Sequence, residues 1–100
     1  MTEEEFAREV EARIKRPGLL YHRCPDSRRC RGQRGFTDLV IAGRRGVLFA
    51  ELKLPGGETT AEQDLWGWTI RESGNAWALW EPADLDSGAV DRGLLRLAYG

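Results

Sequence analysis

The chain reads as an α/β domain in which a helix, three strands, a second helix and a fourth strand follow in the order αβββαβ, giving a mixed sheet flanked by helices. Three observations predict this. Leu39-Val40-Ile41-Ala42 and Val47-Leu48-Phe49-Ala50 are runs of β-branched and other apolar residues, and Gly43-Arg44-Arg45-Gly46 between them has the glycines of a hairpin turn, so the two runs should pair antiparallel. Apolar residues recur at helical spacing on both sides of this hairpin: Phe6, Ala7, Val10 and Ile14 before it, Leu65, Trp66, Thr69 and Ile70 after it. The stretch from Ala50 to Trp80 is strand, helix, strand, and a right-handed crossover makes those two strands parallel.

The elements follow in order. Thr2, with acids at 3, 4 and 5, is an N-cap with negative charge in the first turn, where it complements the helix dipole. Lys15-Arg16 and then Pro17-Gly18 end that helix. Leu19 to His22 is a short candidate strand, and Arg23 to Arg34 a polar loop. After the hairpin, Pro55 to Glu58 form a loop. Thr59-Thr60-Ala61-Glu62-Gln63 has a cap with an acid or amide three positions on, so the second helix runs from about Ala61 to Glu72 and stops at Ser73-Gly74-Asn75. Ala76 to Trp80 is the last strand. Asp84 to Asp86 cap a final helix that buries Val90, Leu94, Leu95 and Leu97.

One hundred residues bound the chain to a single domain over 1–100 with one modest core. Fifteen Lys and Arg against sixteen Asp and Glu give a net charge of −1, so overall charge selects no partner. Its distribution does: seven arginines (23, 28, 29, 31, 34, 44 and 45) lie between Arg23 and Arg45 with only Asp26 and Asp38 among them, a stripe suited to phosphates. Cys24 and Cys30 are too few for a metal cluster and their spacing fits no zinc pattern. A disulfide between them is geometrically allowed. With no signal peptide, however, the chain is expected in a reducing cytosol, where two free thiols are the default. No apolar run approaches a membrane span.

The chemistry concentrates at the open end of the hairpin. Glu51 and Lys53 share one face of their strand, Leu52 turns to the other, and a turn centred on Arg44-Arg45 sets Asp38 opposite Glu51. Two carboxylates brought together repel each other and call for a cation; with a backbone carbonyl and waters they make an oxygen set that Mg²⁺ accepts. Asp38, a strand's length, then Glu51-Leu52-Lys53 resembles the catalytic motif of the PD-(D/E)XK nuclease superfamily, with Thr37 in place of its proline. The resemblance is strongest to the VRR-NUC branch, notably its small stand-alone members in phages and bacteria. It extends from Thr2 to Ser87 through Tyr21-His22, Ser27-Arg28-Arg29, Gly35-Phe36, Thr60, Glu62-Gln63, Trp66, Gly74, Trp80-Glu81-Pro82 and Asp84.

The resemblance implies a restriction-endonuclease-like fold and a metal-dependent deoxyribonuclease, an endonuclease selective for Holliday-junction-like or branched DNA. It implies Mg²⁺ or Mn²⁺ held by Asp38, Glu51 and the Leu52 carbonyl, with Glu3 as the matching first-helix acid and Glu5 and Glu9 as alternatives. Lys53 would orient or deprotonate the attacking water, and Gln63 would hydrogen-bond that water or a phosphate; a plain helix-capping amide is the competing reading of Gln63. Ser27, Arg28 and Arg29 would contact DNA phosphates beside the cut, and Arg44 and Arg45 at the hairpin tip are further DNA-binding candidates. Ala7 stands where the family often has a glutamine. His22 reads as a strand-end histidine, Trp66, Trp77 and Trp80 as core or interface, and Trp68 as the tryptophan left exposed.

DNA is thus the expected partner and a membrane is not. A homodimer is expected as well, because a domain this small meets little DNA and leaves a sheet edge for a second copy. A non-catalytic nucleic-acid-binding module of the same fold, and a nicking or restriction-like nuclease, are the alternatives.

Overall fold

The computed structural model describes residues 1–24 and 30–100. Thr2 opens α1 (Glu3–Lys15) with a reciprocal cap: its hydroxyl accepts the Glu5 N–H at 3.1 Å, and the Glu5 carboxylate accepts the Thr2 N–H at 3.0 Å. Then come β1 (Leu20–Arg23), β2 (Leu39–Gly43) and β3 (Gly46–Leu52). Thr60 caps α2 (Ala61–Glu72) with Gln63 in the same reciprocal way, and β4 (Ala76–Trp80) follows. The expected order of helices and strands is therefore present.

The four strands lie in the order β1-β2-β3-β4; β2 is antiparallel to both β1 and β3, while β3 and β4 run parallel. The hairpin register sets Leu39 opposite Ala50 and Gly43 opposite Gly46. Since side chains alternate across a strand, Leu39, Ile41, Leu48 and Ala50 all reach one face. There they meet Phe6, Val10 and Ile14 of α1 in the core. A 2.7 Å ion pair from Arg13 to Asp91 ties α1 to the C-terminal helix.

The opposite face receives α2, and here the structure corrects the sequence reading. The buried residues of α2 are Gly67 and Ile70, whereas Leu65 is 62% exposed and Thr69 is exposed too. The reason lies in Gly67: its missing side chain lets the helix approach Trp77, whose ring would lie 2.9 Å from a β-carbon there. That contact, together with the Arg71 guanidinium 4.9 Å over the same ring, turns Leu65 outward.

The expected final helix is two helices, α3 (Ala83–Asp86) and α4 (Ala89–Tyr99), separated at Gly88, whose φ of +86° favours glycine. Val90, Leu94 and Leu97 of α4 complete the core, while Leu95 is half exposed. At the hairpin tip, the Arg45 N–H donates to the Leu97 carbonyl at 2.9 Å. A β-carbon on Gly43 would overlap that carbonyl oxygen, so the tip and α4 approach each other closely at the backbone.

Candidate active site

Register brings the two carboxylates together. Beyond the last hairpin pair, Leu39 with Ala50, the Leu52 N–H faces β2 without a strand carbonyl to meet it, and Asp38 Oδ2 accepts it at 2.8 Å. The approach to Asp38 is held as well. Thr37, in the place of the motif's proline, is buried and its hydroxyl donates to the Leu39 carbonyl at 3.1 Å, so a hydrogen bond supplies the restraint that a ring would give. The Asp38 carbonyl accepts the Cys24 N–H at 3.1 Å, fixing it to the end of β1. On the other side of the site, the Lys53 N–H donates to the Trp80 carbonyl at 2.9 Å and continues the β3–β4 ladder past Leu52.

Glu51 is the energetic anomaly of the fold. It is only 1% exposed, and its Oε2 has no hydrogen-bond partner. Burial pushes its carboxyl up to about 9, the Asp38 carboxylate pushes the same way by accepting a hydrogen bond from the protonated acid and by its charge, and the Lys53 ammonium pulls it back in part. Its Oε1 accepts a long hydrogen bond, 3.4 Å, from the Gln63 amide, whose own oxygen accepts the Thr60 N–H at 2.9 Å. Gln63 therefore caps α2 with one end and reaches the Glu51 carboxylate with the other.

A small cavity of about 70 Å³ opens beside Asp38, lined also by Glu3, Ala7, Arg23, Leu52 and Lys53. Glu3 is thus the first-helix acid that shares a wall with Asp38 and Lys53. Glu5 is committed to the α1 cap. Ala7 lines the wall without a polar group to offer. Glu51 does not line this cavity; its neighbours are Asp38 and Gln63. Among the described residues, no three His, Cys, Asp or Glu side chains cluster as a metal cage.

Other residues are placed differently from the reading. Arg23, counted in the basic stripe, belongs to β1 and is paired internally: its guanidinium reaches Glu4 at 2.7 Å and Glu11 at 3.4 Å, anchoring α1 beside the cavity. Glu4 is held below the usual carboxylate range by that contact. Only a long-range pairing across nineteen positions, invisible to local pattern, assigns it so. Cys24 and Cys30, expected as free thiols, form a disulfide with Cα atoms 6.7 Å apart, a span a disulfide can bridge. His22 is exposed, as is Trp68. Ser27, Arg28 and Arg29 lie outside the described residues. Arg44 and Arg45 sit at the tip of the hairpin, at its opposite end from Asp38, roughly 17 Å away at ~3.4 Å per residue.

The chain matches no known family profile and no curated protein. Solved structures do match. A VRR_NUC domain protein superposes with a TM-score of 0.73 over 98% of this chain and 91% of its own, at 20% identity. Hjc, a Holliday junction resolvase from Archaeoglobus fulgidus, superposes with a TM-score of 0.56 over 78% of this chain and 67% of its own, also at 20% identity. The fold is that of the PD-(D/E)XK nucleases. Within the PD-(D/E)XK fold, the donor set here fits a divalent cation. A buried carboxylate oxygen without a donor costs about 1–3 kcal/mol or more, and the site offers it no protein proton except by taking one up. A hard cation shared with Asp38 removes both the orphan and the repulsion. No helix is long and apolar enough to cross a membrane.

Proposed function

We propose that this chain is a metal-dependent endonuclease that hydrolyses DNA phosphodiester bonds, selective for branched or Holliday-junction-like DNA. The observation that carries the reading is the convergence of Asp38 with a buried Glu51 whose second oxygen lacks a partner, next to Lys53. Asp38, Glu51 and the Leu52 carbonyl would hold Mg²⁺ or Mn²⁺, with Glu3 adding to the wall. Bound there, the ion supplies an activated water at neutral pH and offsets the charge that builds on the phosphate.

The chain's own groups do the rest. Lys53 orients the attacking water and stabilises the charge of the transition state, its backbone held by Trp80. Gln63 keeps Glu51 turned toward Asp38. Ser27, Arg28 and Arg29 contact phosphates beside the cut, and Arg44 and Arg45, at the far end of the hairpin, contact them further along the duplex. A second copy along an edge of the sheet, β1 or β4, belongs to the same reading.

Cleavage of a panel of four-way junctions, flaps, nicked and linear duplex, with and without Mg²⁺, tests it. Metal-dependent cutting that favours the branched substrates is expected. DNA binding without cutting by any metal would instead establish the non-catalytic module. Replacing Arg28 and Arg29 together with alanine should weaken binding to every DNA alike and flatten the slope of log affinity against log salt by roughly 2 units. An unchanged slope would remove those two residues from the phosphate surface.

A further inference from the structure

The segment leading into Asp38 is held from three sides. Trp66 donates its indole N–H to the Arg34 carbonyl at 3.0 Å. Gly35, at φ +90°, lies so close to the start of α2 that a β-carbon would overlap the backbone of Glu62 and Gln63. Thr37 is buried and bonded to the Leu39 carbonyl. Between these fixed points, Phe36 remains 41% exposed. Its ring meets Trp66 at 4.9 Å and 72°, and Phe49 at 6.1 Å and 77°, so neither ring lies parallel on it.

Phe36 is thus held in place by its neighbours and still leaves part of its ring to water. Its surroundings narrow what it meets. Exposed Arg31 and Arg34 precede it, Asp38 follows two positions later, and Lys53 shares a cavity wall with Asp38. Positive side chains with an accessible aromatic ring among them are the combination that binds unpaired nucleotides: the charges follow the backbone and the ring stacks with a base. A continuous duplex has no free base face to present. A contact between copies is the alternative use of such a ring, and it would leave the loss of a base without effect.

We propose that Phe36 is a stacking platform for an unpaired nucleobase beside the phosphate that is cut. The site then takes DNA carrying a single-stranded or unstacked nucleotide at the cut in preference to uninterrupted duplex. This role rests on the nuclease reading above and names its substrate class.

The test is a thermodynamic cycle measured in Ca²⁺, which supports binding without cleavage. A flapped duplex is titrated with the first unpaired nucleotide either intact or abasic, against the parent protein, Phe36→Leu and Phe36→Trp. Leucine keeps an apolar contact with Trp66 and Phe49 but has no ring, and tryptophan keeps one. Removing the base should weaken binding to the parent and to Phe36→Trp on the order of 10-fold, and to Phe36→Leu by less than about 2-fold. A general loosening of α2 would lower affinity for both DNAs and leave their ratio intact, so an equal abasic penalty in the parent and Phe36→Leu overturns the proposal. An equal penalty accompanied by a changed oligomeric state in Phe36→Leu would assign the ring to a contact between copies. Cleavage of the same flap in Mg²⁺ keeps the two levels apart: a parent that cuts while the penalties are equal loses only the role of Phe36, and a parent that neither binds nor cuts overturns both.

Discussion

The β2–β3 hairpin is finished in opposite ways at its two ends. At the tip, neutral backbone meets neutral backbone: the Arg45 N–H bonds the Leu97 carbonyl, and Gly43 leaves no room for anything else. At the open end, a carboxylate takes the place of a strand carbonyl against Leu52, and beside it Glu51 is buried with one oxygen unmatched. The tip satisfies every demand of folding. The open end works against folding, keeping two acids together where two apolar residues would be more stable. Such a contrast within one pair of strands separates what builds the domain from what works against its stability.

Breaking the open end should have the largest effect. Glu51→Ala is expected to reduce metal-dependent cleavage to background, because one of the two carboxylates is gone. In thermal melting without metal, the variant should be at least as stable as the parent, because burial and repulsion are relieved together. Undiminished cleavage would end the assignment of the site.

Lys53→Ala should lose more than about 10²-fold in rate while binding metal and, in Ca²⁺, DNA as before, the scale of a lost acid-base or electrostatic catalyst. If affinity fell in step with rate, Lys53 would be a phosphate anchor.

Damage to the tip should read in stability alone. Gly43→Ala pushes a methyl group toward the Leu97 carbonyl and the Leu19 side chain, and is expected to cost about 1–3 kcal/mol in denaturant unfolding with Mg²⁺ affinity unchanged. A loss of metal affinity would show that strain at the tip reaches the carboxylates.

Metal-free stability should also depend on pH. With the Glu51 carboxyl raised from its ordinary 4.5 to about 9, the metal-free folded state keeps a proton that the unfolded chain gives up. Stability from this group is full below about pH 4.5 and falls as pH rises toward 9. Mg²⁺ should therefore raise the melting temperature more at pH 8 than at pH 5, and Glu51→Gln should flatten the metal-free profile. A profile unchanged by that substitution would mean that Glu51 is ionised without metal.

What was legible in the sequence was local. The Gly-rich turn between apolar runs fixes the register, and register alone sets Asp38 against Glu51; the threonine caps with Glu5 and Gln63 are equally short-range. What was not legible depends on partners distant in sequence. Nothing near Arg23 says that Glu4 and Glu11 will take its charge, and nothing near Leu65 says that Gly67 will make the closest approach to Trp77. The split between α3 and α4 lay at Gly88, a glycine that hydrophobic spacing alone passes over. The meeting of Asp38 and Glu51 is readable for the same reason that the pairing of Arg23 is not: it is a matter of counting along one hairpin.

The hydrogen bond from Arg45 to Leu97 also bears on the order of events during synthesis. A ribosome adds about 5–20 residues per second, so the hairpin is made seconds before Leu97. Through that interval the tip lacks its carbonyl, and the face of the sheet that Val90, Leu94 and Leu97 will cover is bare. The tip therefore stays unfastened, and that part of the sheet uncovered, until α4 is complete.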